Sequence, residues 1–264
     1  MTTDPANNEL PSYKGNWIQD FLVALVFLTR LPISLRFSFD MSALRTASRC
    51  FPVIGIIVGG LSGAVFMVAF AIGLPALLSA FLAIASQTLL TGALHEDAIG
   101  DVADGFGGGT TRMEKLEIMH DSRVGIYAVL TLIFVIGMKV VAISSATNPM
   151  IIFAILVSAA TVSRALMTWG MYLMPSARAD GLGHSAGRPP ILAPLTATVI
   201  AILVAIVSLG NLMGATAFLV AIVSAALMGF IAYRQIGGQT GDVLGAIQQI
   251  SELGFIIACI AVIS

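Results

Sequence analysis

Long apolar runs alternate with short polar segments along most of this chain. No charged side chain occurs from Cys50 to Leu94, a run of 45 residues, and none from Pro189 to Tyr233. A bilayer-crossing helix needs about 20 predominantly apolar residues. Each run therefore predicts two spans, with turns at Gly73-Leu74-Pro75 and near Gly210-Asn211. Val124 to Ser145 and Met150 to Leu173 predict two more, separated by Asn148-Pro149, with Lys139 near the far end of the first, where it can snorkel. A last apolar segment reaches Ser264 and starts as early as Leu244. Ahead of the spans, Trp17 to Leu35 is apolar but broken by Arg30 and Pro32. Its uncharged part, Phe21 to Thr29, is too short to cross and predicts an interfacial or re-entrant element. The first 16 residues are polar, lack a signal-peptide pattern and read as a disordered tail, leaving 17–264 as one membrane-embedded domain. The expected fold is all-α, a polytopic helix bundle of about seven spans.

Composition agrees. The chain is 58% hydrophobic and 10% charged, where soluble domains carry about 25% charge. A net charge of -1 gives no reason to expect a nucleic-acid partner. The two cysteines, Cys50 and Cys259, lie far apart at or within apolar segments and read as small buried hydrophobes. Gly55, Gly59, Gly60 and Gly63 suit close helix packing.

Charge is distributed on one side. The segments 30–49, 95–123, 174–188 and 234–251 all fall at the same end of the bundle, and the other end has only tight turns and the C-terminus. Of 13 Lys and Arg residues, only Lys139 and Arg164 lie inside spans. The positive-inside rule makes the polar end cytoplasmic. A transporter needs polar groups nearer mid-membrane or on both sides. The one-sided loops, with no acids inside the spans, favour an enzyme acting at one membrane face.

Seven of the 14 acidic side chains lie between 96 and 121: Glu96, Asp97, Asp101, Asp104, Glu114, Glu117 and Asp121. On a helix Asp97, Asp101 and Asp104 fall within roughly 60° of one another. Carboxylates crowded on one face repel, and a hard divalent cation such as Mg²⁺ bound through oxygens would neutralise them. Gly105 and the glycines after it let backbone approach a bulky anionic ligand. Pairing with Arg112, Lys115 and Arg123 is the plainer reading, and both can hold together.

Four other groups carry candidate chemistry. Gly237-Gly238-Gln239-Thr240-Gly241-Asp242 suits a turn that presents backbone N–H groups to an anion. Equally, it is a plain turn into the last helix with Asp242 as N-cap. Arg164 lies in the inner half of its span, where an arginine is costly; it either offsets the acidic cluster or grips phosphate. Arg178 and Arg188 can do the same or simply touch lipid headgroups. His95 is a candidate general base, while His120 and His184 read as satisfied interfacial histidines. With oxygen ligands dominating and no Cys nearby, a zinc site is not expected.

Taken together, the motifs resemble the cobalamin synthase family, adenosylcobinamide-GDP ribazoletransferase. The matching stretches are Phe27-Leu28-Thr29-Arg30-Leu31-Pro32; His95-x-Asp97-x-x-x-Asp101-x-x-Asp104-Gly105; Leu116 to Arg123 with Gly125; Ser163-Arg164; Arg178-x-x-Gly181-Leu182-Gly183; and Gly237 to Asp242 with Leu244-Gly245-Ala246. They run in the family's order from about residue 20 to the C-terminus. The chain departs from the pattern at Glu96, Ala98, Gly100 and His120 and keeps the three aspartates. The resemblance implies an Mg²⁺-dependent membrane transferase that joins adenosylcobinamide-GDP to α-ribazole or its 5'-phosphate and releases GMP. On that reading Asp97, Asp101 and Asp104 hold Mg²⁺, and Asp121 or Asp242 completes the site or accepts the hydroxyl proton. Arg123 and Arg164 clamp phosphate, and Gly105, Gly237, Gly238, Thr240 and Gly241 approach the nucleotide. Partners are the two substrates and membrane lipid, with room for a homo-oligomer or association with other corrinoid-assembly enzymes. Asp101-x-x-Asp104-Gly105 also opens the motif of CDP-alcohol phosphotransferases, although Gly108-Gly109 lacks the Ala-Arg expected next. A cation transporter is the alternative from a different class.

Overall fold

The computed structural model describes residues 11–146 and 148–263. After α1 (Trp17–Leu28), two 3₁₀ turns flank the short α2 (Leu44–Ala47) and run into α3 (Phe51–Ala71). Next come α4 (Ala76–Thr91), α5 (Leu94–Gly108) and α6 (Arg112–Ile118), then α7 (Ile126–Ser145) and α8 (Pro149–Leu173). The chain closes with α9 (Gly181–Ala186), α10 (Leu192–Leu209), α11 (Asn211–Ile236) and α12 (Gly241–Ile263). The described residues contain no strand, only two isolated bridges.

Among the described residues six helical stretches are long and apolar enough to cross a membrane: Met41–Ala71, α7, α8, α10, α11 and α12. The 16-residue α4 is shorter, and makes a seventh such stretch only together with α5, from which it is bent by 89°. Gly92 and Ala93, both left-handed at φ 66° and 58°, form that corner. Past it α5 leaves the spans and crosses the polar end of the bundle, from the start of α12 to the start of α7.

The core is built on α8, the most enclosed span. It packs along α3 through the register Gly55, Gly59, Gly63. A Cβ at Gly55 or Gly59 would run into the α8 backbone at Ala160–Thr161 or Leu156–Val157, and one at Gly63 into Phe153. Small residues at four-residue spacing let the two backbones touch, as expected where lipid removes the hydrophobic drive between helices. Large apolar side chains such as Val68, Leu89, Phe134, Val207 and Leu219 stay exposed on the outer faces, as a helix bundle built for an apolar surround requires.

Three expectations need correction. Pro11 to Asn16 is ordered: Tyr13 N–H donates to Ser38 O at 3.0 Å, Ser38 N–H to Pro11 O at 3.1 Å, and Asn16 caps α1 through Gln19 N–H at 2.9 Å. The first ten residues of the expected tail lie outside the described ones. Lys139 does not snorkel; it is 2% exposed and its Nζ lies 2.6 Å from Glu252 Oε2. Glu252 itself stands inside the spans, because α12 begins at Gly241 and takes in the polar stretch Gln248 to Glu252 that sequence placed in or next to a loop. Acids are therefore not confined to the loops.

Candidate active site

Of the cavities at the polar end among the described residues, two adjoin at Asp97 and Asp242. The larger, about 460 Å³, is walled by Asp97 and Asp101 from α5, the segment Met119 to Val124, the segment Ser176 to His184, and Thr240, Gly241 and Asp242 at the head of α12. The smaller, about 190 Å³, is apolar and shares Asp97, Gly183, Gly241 and Asp242 with it.

Local rules place each wall. Thr111 and Glu114 make a capping box that starts α6 and turns the chain back along α5. Thr240 caps α12, its Oγ1 accepting from Val243 N–H at 3.2 Å and donating to Asp242 Oδ2 at 3.2 Å. The loop before α12 is pinned to the segment after α8: Gln239 N–H donates to Pro175 O and Ala177 N–H to Gln239 O, both at 2.8 Å. The α5 helix packs on α12 at Gly245, where a Cβ would collide with that of Ala98.

The expected aspartate trio divides. Asp97 and Asp101 face the polar cavity, where Asp242 joins them. Asp104 is turned away and 8% exposed; its Oδ2 accepts from Gly125 N–H at 2.6 Å and its Oδ1 from Ala128 N–H at 3.0 Å. It caps the first turn of α7, whose leading N–H groups have no partner within the helix. A side chain at Gly125 would strike this carboxylate. Among the described residues no three His, Cys, Asp or Glu side chains converge as a ready-made metal cage.

Electrostatics mark the cavity as anionic. Asp101 is pushed up to about 7 by burial, then by Asp97, Asp242 and Asp104, with Arg178 acting in the opposite direction. Arg178 lines the cavity and its Nη2 donates to Leu116 O at 2.5 Å, which holds the guanidinium beside the carboxylates. The sequence named it only in passing, ranking Arg123 and Arg164 first. Arg123 reaches the cavity rim but pairs with Asp121, donating through Nε at 2.8 Å and through its backbone N–H at 3.0 Å. Those bonds hold the Asp121 carboxyl below its usual range. His120 and His184 stand in the same wall.

Arg164 lines neither cavity. It is wholly buried in α8, donates from Nη1 to Ala160 O at 3.1 Å, and feels the charges of Glu252 and Glu96. Of those two acids Glu96 belongs to the acidic stretch and Glu252 lies outside it. His95, 2% exposed, lines the apolar cavity. Burial, reinforced by Arg164, pushes it well below the ordinary histidine range, so the imidazole is neutral. Of the glycine set, Gly241 and Thr240 reach the cavity. Gly237 ends α11 in a left-handed conformation at φ 79°, Gly238 is pressed against Pro175 O, and Gly105 packs on Met119. The last three shape the scaffold.

The fold and this site define a class: a polytopic all-α membrane protein with a carboxylate-rich polar cavity at one end. Residues 20–260 match the family model described as cobalamin-5-phosphate synthase, and the chain belongs to that family. A protein of Bradyrhizobium diazoefficiens named adenosylcobinamide-GDP ribazoletransferase is 39% identical over 246 residues, covering 93% of this chain and 95% of its own. Proteins of the same name from Rhizobium meliloti and Allorhizobium ampelinum are 40% and 38% identical, covering 89% and 90% of this chain and 93% and 94% of their own. No solved structure matches the chain.

Proposed function

We propose that this chain joins adenosylcobinamide-GDP to α-ribazole, or to α-ribazole 5'-phosphate, giving adenosylcobalamin or its 5'-phosphate and GMP. We place it in the cytoplasmic membrane, with the cavity facing the cytoplasm. The observation that carries the reading is the meeting of Asp97, Asp101 and Asp242 with Arg178 in one cavity, in a chain of this family.

The reaction exchanges one phosphate linkage for another. A ribose hydroxyl oxygen bonds to the phosphorus attached to the cobinamide, the bond from that phosphorus to the bridging oxygen breaks, and GMP leaves with that oxygen. Charge develops on phosphoryl oxygens, so positioning and electrostatic stabilisation dominate. Arg178 supplies the fixed positive charge for a phosphate in the cavity. Asp242, steadied by Thr240, is placed to accept the hydroxyl proton. Neutral His95 borders the apolar cavity beside it.

The donor set fits Mg²⁺. This ion keeps several waters and is bound by one or two carboxylates plus substrate phosphate, so a ready-made protein cage is not required. Asp97 and Asp101, adjacent on one helix face and crowded enough to raise a proton affinity, would hold it. When bound it would neutralise the diphosphate. The test is purified protein in lipid with adenosylcobinamide-GDP, α-ribazole and Mg²⁺. Release of GMP supports the reading, and its absence overturns it.

A further inference from the structure

The apolar cavity is a chamber beneath the carboxylates. Its walls come from helices far apart in sequence: Phe27 of α1, Leu44 of α2, Phe51 of α3, Leu94 of α5, and Met167 and Met171 of α8. The rings of Phe27 and Phe51 stack at 6.2 Å and 18°. Asp97 and Asp242 form the rim it shares with the polar cavity. One wall group, His95, has a buried Nε2 with no hydrogen-bond partner among the described residues.

We infer that this chamber holds the flat aromatic base of the acceptor nucleoside, its ribose lying at the Asp97–Asp242 rim. The inference rests on the transferase reading above and adds a subsite to it. Size allows it: a dry apolar cavity of about 150 Å³ takes a benzene ring, and this chamber measures about 190 Å³. Chemistry selects it. The guanine of the donor carries several donors and acceptors that these walls leave unsatisfied, which costs affinity. The benzimidazole of ribazole offers two apolar faces, and the wall offers aromatic rings and thioethers to pack against them. A base seated there leaves the sugar hydroxyls beside the carboxylates.

The prediction is a size code written by the chamber. Met171→Trp narrows it and Phe27→Ala widens it. Met171→Trp should raise KM for benzimidazole riboside by about tenfold or more, with little change for the smaller imidazole riboside and none for the GDP-linked donor. Phe27→Ala should shift preference toward a tricyclic naphthimidazole riboside by about tenfold. It carries the test if the tryptophan variant does not fold. Equilibrium dialysis of benzimidazole riboside alone, wild type against each variant, reads the chamber without turnover. Equal effects on all acceptors, an effect on donor KM in their place, or unchanged riboside binding would overturn the inference. The second outcome indicates the guanine and the third a lipid chain as occupant. Wild-type protein that binds the riboside but releases no GMP overturns the transferase reading alone.

Discussion

Lys139 and Glu252 form an ion pair inside the bundle, Nζ to Oε2 at 2.6 Å, with both side chains almost wholly enclosed. Neighbours complete it: Gln87 donates to Glu252 Oε1 at 2.7 Å, Lys139 donates to Gln249 Oε1 at 2.7 Å, and Gln248 donates to Glu252 Oε2 at 3.2 Å. Gln249 continues to Glu96 Oε1 at 3.2 Å, and Gln248 to Ser163 Oγ at 3.1 Å. The network joins α4, α5, α7, α8 and α12 beneath the site. Removing one partner leaves a bare charge in an apolar interior and costs about 3–5 kcal/mol. Lys139→Met should therefore lower the thermal midpoint in detergent sharply, and adding Glu252→Leu should recover much of the loss.

Asp104 serves the scaffold through its bonds to Gly125 and Ala128. Asp104→Asn keeps one acceptor and should cost roughly 1 kcal/mol, the usual scale of a cap. The Mg²⁺ concentration for half-maximal activity should stay where it was. Asp97→Asn should do the reverse, preserving the melting curve while turnover falls about 100-fold or more. Magnesium titrations of the two variants separate the roles, and a raised magnesium requirement for Asp104→Asn would return that residue to the ligand set.

The raised affinity of Asp101 for a proton sets a pH dependence. Its carboxyl is largely protonated below about 7, and a proton there competes with a cation. Magnesium affinity should fall as pH drops below 7, by about tenfold per unit, and level off above it. Isothermal titration at pH 6 and pH 8 measures this. Asp101→Asn should flatten the dependence while weakening binding at both values.

The contact between α3 and α8 leaves no room for side chains at Gly55 and Gly59. Gly59→Val should force the helices apart and cost about 1–3 kcal/mol or more, as overpacking does. Gly60, in the same run, has open space where its Cβ would stand. Gly60→Val should be nearly silent in a detergent melt, and the pair makes an internal control.

Spans could be read directly because uncharged runs and turn residues mark them, and the helical register of the acidic stretch was visible for the same reason. Periodicity says which residues share a face but not what stands opposite. Asp104 shares the face of Asp97 and Asp101, yet its partners begin 21 residues downstream, at the head of another helix. Lys139 finds Glu252 113 residues away, so neither sequence neighbourhood announced a buried pair. The polar stretch Gln248 to Glu252 looks like loop because its groups satisfy one another only in the folded bundle. On paper Arg164 stands ahead of Arg178 as a phosphate binder. Only the path of the backbone brings Arg178 to the cavity and seals Arg164 in α8.

The right-angle corner after α4 also sets a depth. Sixteen residues of helix rise about 24 Å, short of the roughly 30 Å of hydrocarbon in an ordinary bilayer. An ordinary bilayer is therefore thicker than this helix is long, a mismatch that a thinner membrane relieves. Acyl-chain length then becomes a control on catalysis, with bilayers of shorter lipids giving the faster enzyme.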